Sequence, residues 1–114
     1  MIYQAVQSAF GDVNTVDQGP IYVGGDVAAP KAISKPKPSY TEIARKARVQ
    51  GVVIVQAIID KNGNVTSVKV LKGLPMGLDE NAVNTVKQWK FEPATLNGKP
   101  VEVYYNLTVN FTLQ

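Results

Sequence analysis

The candidates for acid–base chemistry that we weigh in this chain are three carboxylates. The 114 residues include no His and no Cys, so the commonest general base, the commonest metal ligand and the thiol nucleophile are all missing. The remaining candidates are Asp60, Asp79 and Glu80. Asp60 stands beside an Asn-Gly turn, and the other two open a predicted helix, so turn and helix-terminus roles account for all three. We expect no enzymatic activity, no cofactor and no metal.

The charged residues divide the chain unevenly. Residues 1–30 contain Asp12, Asp17 and Asp26 and neither Lys nor Arg, whereas residues 31–48 contain a single acidic residue, Glu42. The basic residues of that second stretch are Lys31, Lys35, Lys37, Arg45, Lys46 and Arg48. No nucleic-acid motif or interleaved aromatic residues accompany them, so we expect a solvated basic face and no nucleic-acid partner.

Length and composition predict one domain with an appendage. Hydrophobic residues make up 45% of the chain, but no apolar run approaches the roughly 20 residues that a membrane span needs. No export signal follows Met1. If the protein acts outside the cytoplasm, we expect this chain to be a fragment.

Residues 1–36 are predicted to form an extended arm or linker, followed by a folded domain over residues 37–114. Gly and Pro are dense in the arm, and one short run there, Ile21, Tyr22 and Val23, resembles a strand. The sequence KPKPSY at residues 35–40 favours polyproline-like extension toward the domain.

The first predicted helix covers residues 40–49. Ser39 and Glu42 have the spacing of a capping box, and Gly51 stands where a helix commonly ends. A β-hairpin should follow, because β-branched runs flank Asn62-Gly63. Its first strand is apolar on both faces, which indicates that the arm or a second copy covers the outer one. The inner-face residues expected in the core are Val53, Val55, Ala57 and Ile59.

The second predicted helix contains LDENAVNTVKQWKF. Its apolar stripe consists of Leu78, Ala82, Val86 and Trp89. Lys87 and Lys90 are expected in its last turn, where they would complement the helix dipole. Trp89 and Phe91 should fix the helix to the sheet, with Pro93 ending the helix. A ligand-binding role for these aromatic residues is the alternative.

PATLNGKP is predicted to be a turn. From Val101 to Leu113 apolar and polar residues alternate, which predicts one long strand. Helix, strand, strand, helix and strand give an α+β fold, with a small antiparallel three-stranded sheet and both helices on one face. The last strand should leave an edge open.

These segments together resemble the C-terminal domain of the TonB energy-transducer family. The resemblance is carried by SYTEIARKARVQGVVIVQAIIDKNGNV, LDENAVNTVKQWKFEPA, NGKPVEV and VNF, over residues 37–113. One position departs from the family pattern, since Tyr40-Thr41 stands where the family commonly has Tyr-Pro.

The resemblance implies a periplasmic domain of a protein anchored in the inner membrane. It implies two partners: the N-terminal segment of TonB-dependent outer-membrane transporters, and an inner-membrane proton-channel complex reached through a part of the protein outside this chain. Work derived from the proton-motive force would then drive substrate uptake.

An open strand edge can take up an extended peptide as a further strand, which supplies the binding mode. We expect the centre of that edge at residues 104–108. The expected partner-binding residues are Val101, Val103, Tyr104, Tyr105, Asn106, Leu107, Thr108, Val109, Pro38 and Tyr40.

The alternative function is a structural or assembly module. Its edge would pair with a second copy, giving a homodimer, or with the arm near Ile21, without any transporter. The arm could also regulate the first function by occupying the edge until a transporter peptide displaces it.

Overall fold

The computed structural model describes residues 19–113, which form two helices and several strands around one core. The elements in chain order are β1 (Ile21–Tyr22), β2 (Val27–Ala28), β3 (Lys31–Ser34), α1 (Glu42–Lys46), β4 (Gly51–Ile59), β5 (Val65–Lys72), α2 (Leu78–Val86), β6 (Lys90–Glu92), β7 (Ala94–Leu96), β8 (Lys99–Val101) and β9 (Val103–Phe111). No helix among these residues is long and apolar enough to cross a bilayer.

The main sheet has the strand order β1-β9-β4-β5. Strand β4 is antiparallel to both β9 and β5, as expected, whereas β1 lies parallel to β9. Two smaller sheets, β2-β7-β8 and β3-β6, extend this arrangement. The predicted α+β class is confirmed, and the arm adds a parallel strand to the expected three.

The core lies between the main sheet and the two helices. The nine residues singled out by sequence are all buried, namely Val53, Val55, Ala57, Ile59, Leu78, Ala82, Val86, Trp89 and Phe91. Ala44 of α1, Ala94 of β7 and four residues of β9 complete the cluster, and the last four are Val103, Leu107, Val109 and Phe111. Burial of alternate positions on β4 and β9 places both helices on one sheet face.

The turn between β4 and β5 has the predicted Asn-Gly chemistry. Gly63 has a φ of 84°, and Asp60 Oδ1 accepts hydrogen bonds from the backbone N–H groups of Asn62 and Asn64, both at 2.9 Å. The Phe91 N–H donates to the Gly63 carbonyl at 3.0 Å. A Cβ at position 63 would overlap the Phe91 carbonyl oxygen, so glycine is required both for the turn and for this close approach.

Helix α1 differs from its prediction. It is shorter than predicted, and its N-cap is Thr41, whose hydroxyl accepts from the Ala44 N–H at 3.2 Å. The prediction of a capping box at Ser39 is therefore wrong. The same hydroxyl donates to the Met76 carbonyl at 2.7 Å, which joins the starts of the two helices. Arg48, with a φ of 57°, takes the left-handed position that had been expected at Gly51.

Helix α2 has its predicted buried stripe but ends early. It stops at Val86, so Lys87 caps it and Lys90 lies on β6, outside the last turn where both were expected. Pro93 does not end the helix, because β6 intervenes and pairs with β3 of the arm. Tertiary pairing therefore decides where this helix stops.

The predicted turn before the last strand is a hairpin. Strands β7 and β8 pair across Asn97-Gly98, whose φ angles of 54° and 79° fit a type I′ turn. The long predicted strand is accordingly divided between β8 and β9.

Candidate functional site

The arm forms the first boundary of the candidate site. The Ile21 N–H donates to the Glu102 carbonyl at 3.0 Å, and the Tyr22 ring stacks on Tyr104 with centroids 4.8 Å apart. After Tyr22 the chain turns away from β9. Strand β2 then pairs with β7 and β3 pairs with β6, so a segment expected to be a linker follows the domain surface. The strands of this segment are too short to be predicted from β-propensity, and they form because β9, β7 and β6 supply partner strands.

Beyond Tyr104, the outer edge of β9 has no strand partner among the described residues. Backbone direction alternates along a strand, and the Glu102 carbonyl points toward β1. The backbone N–H and C=O groups of Asn106, Thr108 and Asn110 therefore face outward as well. These are the groups that a further strand would need.

A groove of about 350 Å³ runs beside the carboxyl half of this edge. One wall is residues 35–38 and the other is β9 with the residue that follows it. The groove is lined by Lys35, Pro36, Lys37, Pro38, Tyr40, Trp89, Thr108, Val109, Asn110, Phe111 and Thr112. The side chains of Trp89, Val109 and Phe111 that line it are almost fully buried, so its accessible apolar surface comes from Pro36, Pro38 and Tyr40. The groove therefore offers both backbone groups and hydrophobic contact.

Hydrogen bonds hold the arm wall in place. Trp89 Nε1 donates to the Pro36 carbonyl at 2.9 Å, and Lys35 Nζ lies 5.0 Å from the centroid of the Trp89 ring. The side-chain amide of Asn81 donates to the Ser39 carbonyl at 2.8 Å. The spacing between the two walls is thus fixed by the domain core.

Tyr40 joins this wall to β9. Its hydroxyl donates to the Val49 carbonyl at 2.7 Å, and its ring meets Phe111 edge to face with centroids 5.5 Å apart. Tyr40 thereby links the two walls of the groove at the carboxyl end of the strand.

The predicted partner-binding residues fall into several environments. Side chains of Val103, Leu107 and Val109 are buried in the core, so only their backbones could meet a partner. Asn106 and Thr108 are exposed. Of the remaining residues, Val101 pairs with Ala94 in another sheet, Tyr104 lies opposite the arm, Tyr105 is half-buried, and Pro38 and Tyr40 line the groove.

The groove lies closer to the carboxyl end of the strand than the predicted centre at residues 104–108. The predicted partner-binding set lacks Lys35, Pro36, Lys37, Asn110, Phe111 and Thr112, which line the groove. Sequence reasoning also missed the indole hydrogen bond of Trp89. The alternating Lys-Pro pattern at residues 35–38 was the available signal, since such a segment makes a stiff wall.

The opposite edge of the main sheet is less suited to pairing. Strand β5 carries Lys69 and Lys72, and its pairing with β4 is irregular near both ends, between Ile54 and Val55 and between Ile58 and Ile59. Lysines and bulges on an edge strand disfavour addition of another strand. The edge of β9 from Asn106 to Asn110 has neither.

Comparison with known proteins agrees with this architecture. Residues 36–113 match the family model described as Gram-negative bacterial TonB protein C-terminal. The chain is 45% identical over 79 residues to "Protein TonB" of Yersinia enterocolitica, covering 68% of this chain and 31% of that protein. It is 32% identical over 98 residues to "Protein TonB" of Vibrio cholerae, covering 79% and 40%.

Solved structures show the same fold. The solution structure of the Pseudomonas aeruginosa TonB C-terminal domain superposes with a TM-score of 0.60 at 22% identity, covering 86% of this chain and 97% of that one. The TonB2 protein of Vibrio anguillarum gives a TM-score of 0.54 at 24% identity, covering 95% and 93%. The chain spans only about a third of the length of most of the curated relatives it matches.

Proposed function

This chain belongs to the TonB C-terminal domain family, and from that premise we propose that it is the peptide-binding domain of an energy transducer. The domain works in the periplasm, as part of a protein anchored in the inner membrane. Its partner is an extended N-terminal segment of an outer-membrane transporter, which pairs with the open edge of β9. Work from the proton-motive force reaches the domain through an inner-membrane partner complex. It is passed to the transporter through the strand pairing at β9. It performs no catalysis.

One observation carries the proposal: outward-facing backbone groups lie directly beside a fixed groove. Asn106, Thr108 and Asn110 turn these groups away from β4, and the groove borders the last two of these residues. An added strand would gain main-chain hydrogen bonds from the edge and apolar contact from the groove. Several inter-strand hydrogen bonds must break together when paired strands are pulled along their length. Strand pairing therefore suits a contact that transmits force.

The two parts of the chain have different tasks in this proposal. Residues 37–114 form the binding domain, and residues 1–36 form an arm. The arm occupies the edge at Val103 and Tyr104, and its last two residues, Lys35 and Pro36, form part of one wall of the groove.

The test is a Thr108→Pro variant, titrated with peptides taken from the N-terminal segments of candidate transporters. Proline removes the outward N–H of Thr108 but leaves the β9–β4 hydrogen bonds in place, so the domain should fold. We expect peptide binding to be lost. Amide shifts in NMR spectra of the unchanged protein should concentrate at residues 106–112.

Thr108→Ala is the matched control, because it removes the exposed side chain and keeps the backbone donor. It should bind nearly as well as the unchanged protein. Equal and mild effects of the two substitutions would contradict strand addition and indicate a side-chain pocket elsewhere.

A second candidate function is self-assembly through the same edge. The outer face of β4 favours it, since Val52, Ile54 and Ile58 are only half-buried there, and Tyr22 nearby is 69% exposed. In this case the partner strand would come from a second copy of the chain.

A further inference from the structure

We propose that Asn97 is a site of spontaneous deamidation, and that tertiary contacts protect the other Asn-Gly turn, Asn62-Gly63, from the same reaction. Asparagine is among the chemically labile residues, and in this sequence only these two asparagines precede a glycine. A following glycine favours the reaction, because it has no side chain to obstruct the approach of its backbone nitrogen. The inference concerns the β7–β8 hairpin and does not depend on the proposed function.

The reaction needs only the chain itself and water. The backbone nitrogen of the glycine loses its proton to solvent and attacks Cγ of the asparagine side chain. A C–N bond forms there, the bond from Cγ to the side-chain nitrogen breaks, and that nitrogen takes up a proton and leaves as ammonia. The product is a cyclic succinimide. Water then opens this ring at one of its two carbonyl groups, which yields aspartate or isoaspartate.

The groups that would react at Asn97 are accessible. Asn97 and Gly98 are both exposed. Within residues 19–113, neither the Gly98 N–H nor the side-chain amide of Asn97 has a hydrogen-bond partner. A Cβ at position 98 would meet nothing within 4 Å. The space beside the attacking nitrogen is therefore open to water and to movement of the turn.

The turn at Asn97 can rearrange with few losses. The Gly98 nitrogen must move toward Cγ of Asn97, so the turn must leave its hairpin geometry. Next to the turn, Leu96 pairs with Lys99, and the following position on β8 is Pro100, which has no N–H to donate. Strand β8 is also the outer strand of its sheet. Exposed ends of this kind open locally at a low cost in free energy.

The turn at Asn62 is held much more firmly. Oδ1 of Asp60 accepts from the N–H groups of Asn62 and Asn64, and the Asp60 carbonyl accepts from the Gly63 N–H at 3.0 Å. The Gly63 carbonyl in turn accepts from the Phe91 N–H. Gly63 is buried, and its nitrogen is already engaged. These hydrogen bonds must break before that nitrogen can attack the side chain.

Modification of Asn97 should loosen the attachment of the arm. Isoaspartate adds a methylene group to the backbone and a carboxylate to the turn, so the register between β7 and β8 cannot be kept. Strand β7 also pairs with β2 of the arm, through Leu96 and Thr95. Loss of the hairpin therefore weakens the β2-β7-β8 sheet, while β4 and β9 lie in a different sheet.

The experiment incubates the full 114-residue chain at physiological pH and temperature and follows each asparagine by peptide mapping with mass spectrometry. In the folded protein, Asn97 should be deamidated at least about tenfold faster than Asn62, because several additional hydrogen bonds protect the latter. In concentrated urea the two rates should agree within about threefold, since the unfolded chain keeps little of either turn. Both rates should rise with pH, because the glycine nitrogen must lose its proton.

Two variants should move one site each. Asp60→Ala removes the carboxylate that holds the first turn, so it should speed deamidation of Asn62 about five- to tenfold and leave Asn97 unchanged. Gly98→Ala places a methyl group beside the attacking nitrogen, so it should slow Asn97 and leave Asn62 unchanged. Asp60→Asn is the milder substitution if the alanine variant unfolds, and circular dichroism reports the fold.

Equal rates at the two sites of the folded chain would overturn the inference. So would a rate at Asn97 more than about a hundredfold below its rate in urea, which would mean that its turn does not open locally. In the modified fraction, NMR amide signals of residues 27–28 should move toward random-coil positions, and those of β4 and β9 should stay. Unmoved signals at residues 27–28 would overturn the effect on the arm. None of these outcomes bears on peptide binding at β9, which is tested separately.

Discussion

Trp89 connects the core, the arm and the groove. Its ring is buried at 4% exposure, its indole N–H reaches the Pro36 carbonyl, and its side chain lines the groove. The two roles weighed for it, a core residue and part of a binding surface, are therefore compatible. A buried tryptophan whose N–H finds a partner commonly lies at such a boundary.

Substitution of Trp89 should separate these roles. Trp89→Ala should lower the free energy of unfolding by about 3 to 5 kcal/mol, because it leaves a large cavity. Trp89→Phe should cost less in packing but lose the hydrogen bond to Pro36, which is worth about 1 kcal/mol. Urea unfolding measures both, and the NMR amide signals of Lys35 and Lys37 should shift toward random-coil positions in the Phe variant. Unchanged signals there would mean that the indole does not hold the arm wall.

Thr41 shows how one residue can replace a family feature. A proline, which the family commonly has here, would suit the φ of −71° at position 41. It could not donate to the Met76 carbonyl as the Thr41 hydroxyl does. The departure therefore ties the two helices together in this chain.

At the scale of elements, the β4–β5 hairpin contacts β6 at Gly63. Gly63→Ala should lower the free energy of unfolding by about 2 to 4 kcal/mol, because a Cβ there collides with backbone of β6. Gly98→Ala is the control: its φ of 79° is similar, but a Cβ would meet nothing within 4 Å. That variant should lose only about 1 kcal/mol. Thermal or urea unfolding gives the comparison, and equal losses would contradict a steric role for position 63.

Strand β1 limits how far along β9 a peptide can pair. Ile21→Pro removes the N–H that bonds to Glu102 and should weaken the arm at that point only. A peptide long enough to reach Tyr104 should then bind more tightly, while a short peptide confined to residues 106–112 should not change.

Isothermal titration of both peptides tests this competition between the arm and the peptide. Deletion of residues 1–30 should act in the same direction, although it also removes β2 and its pairing with β7. Unchanged affinity of the long peptide for both variants would show that the arm does not compete.

At the scale of the whole molecule, the open edge sets the oligomeric state. If the edge is kept for a foreign peptide, sedimentation should show a monomer at micromolar concentration, and added peptide should not change its association. A dimer that dissociates on adding peptide, and that is absent in Thr108→Pro, would instead favour self-assembly. A dimer that persists in that variant would place the contact on another surface, such as the outer face of β4.

Much of the fold could be predicted from local patterns. Alternation predicted β4, β5 and β9, the spacing of Leu78, Ala82 and Val86 predicted α2, and Asn62-Gly63 predicted the hairpin. These signals are local because side-chain period and turn chemistry act within a few residues. The helix ends and the second Asn-Gly hairpin were missed, since their limits depend on pairing with distant strands.

The sequence by itself determined the three long strands, the buried stripe and the lack of His and Cys side chains. Only the tertiary structure decided which part of the last strand has no strand partner among residues 19–113, because the described part of the arm pairs with β9, β7 and β6 at separate places. It also decided that the glycine of one Asn-Gly turn is buried beside Phe91 and that of the other is exposed. Contacts between residues so far apart in the chain leave no periodic trace in the sequence.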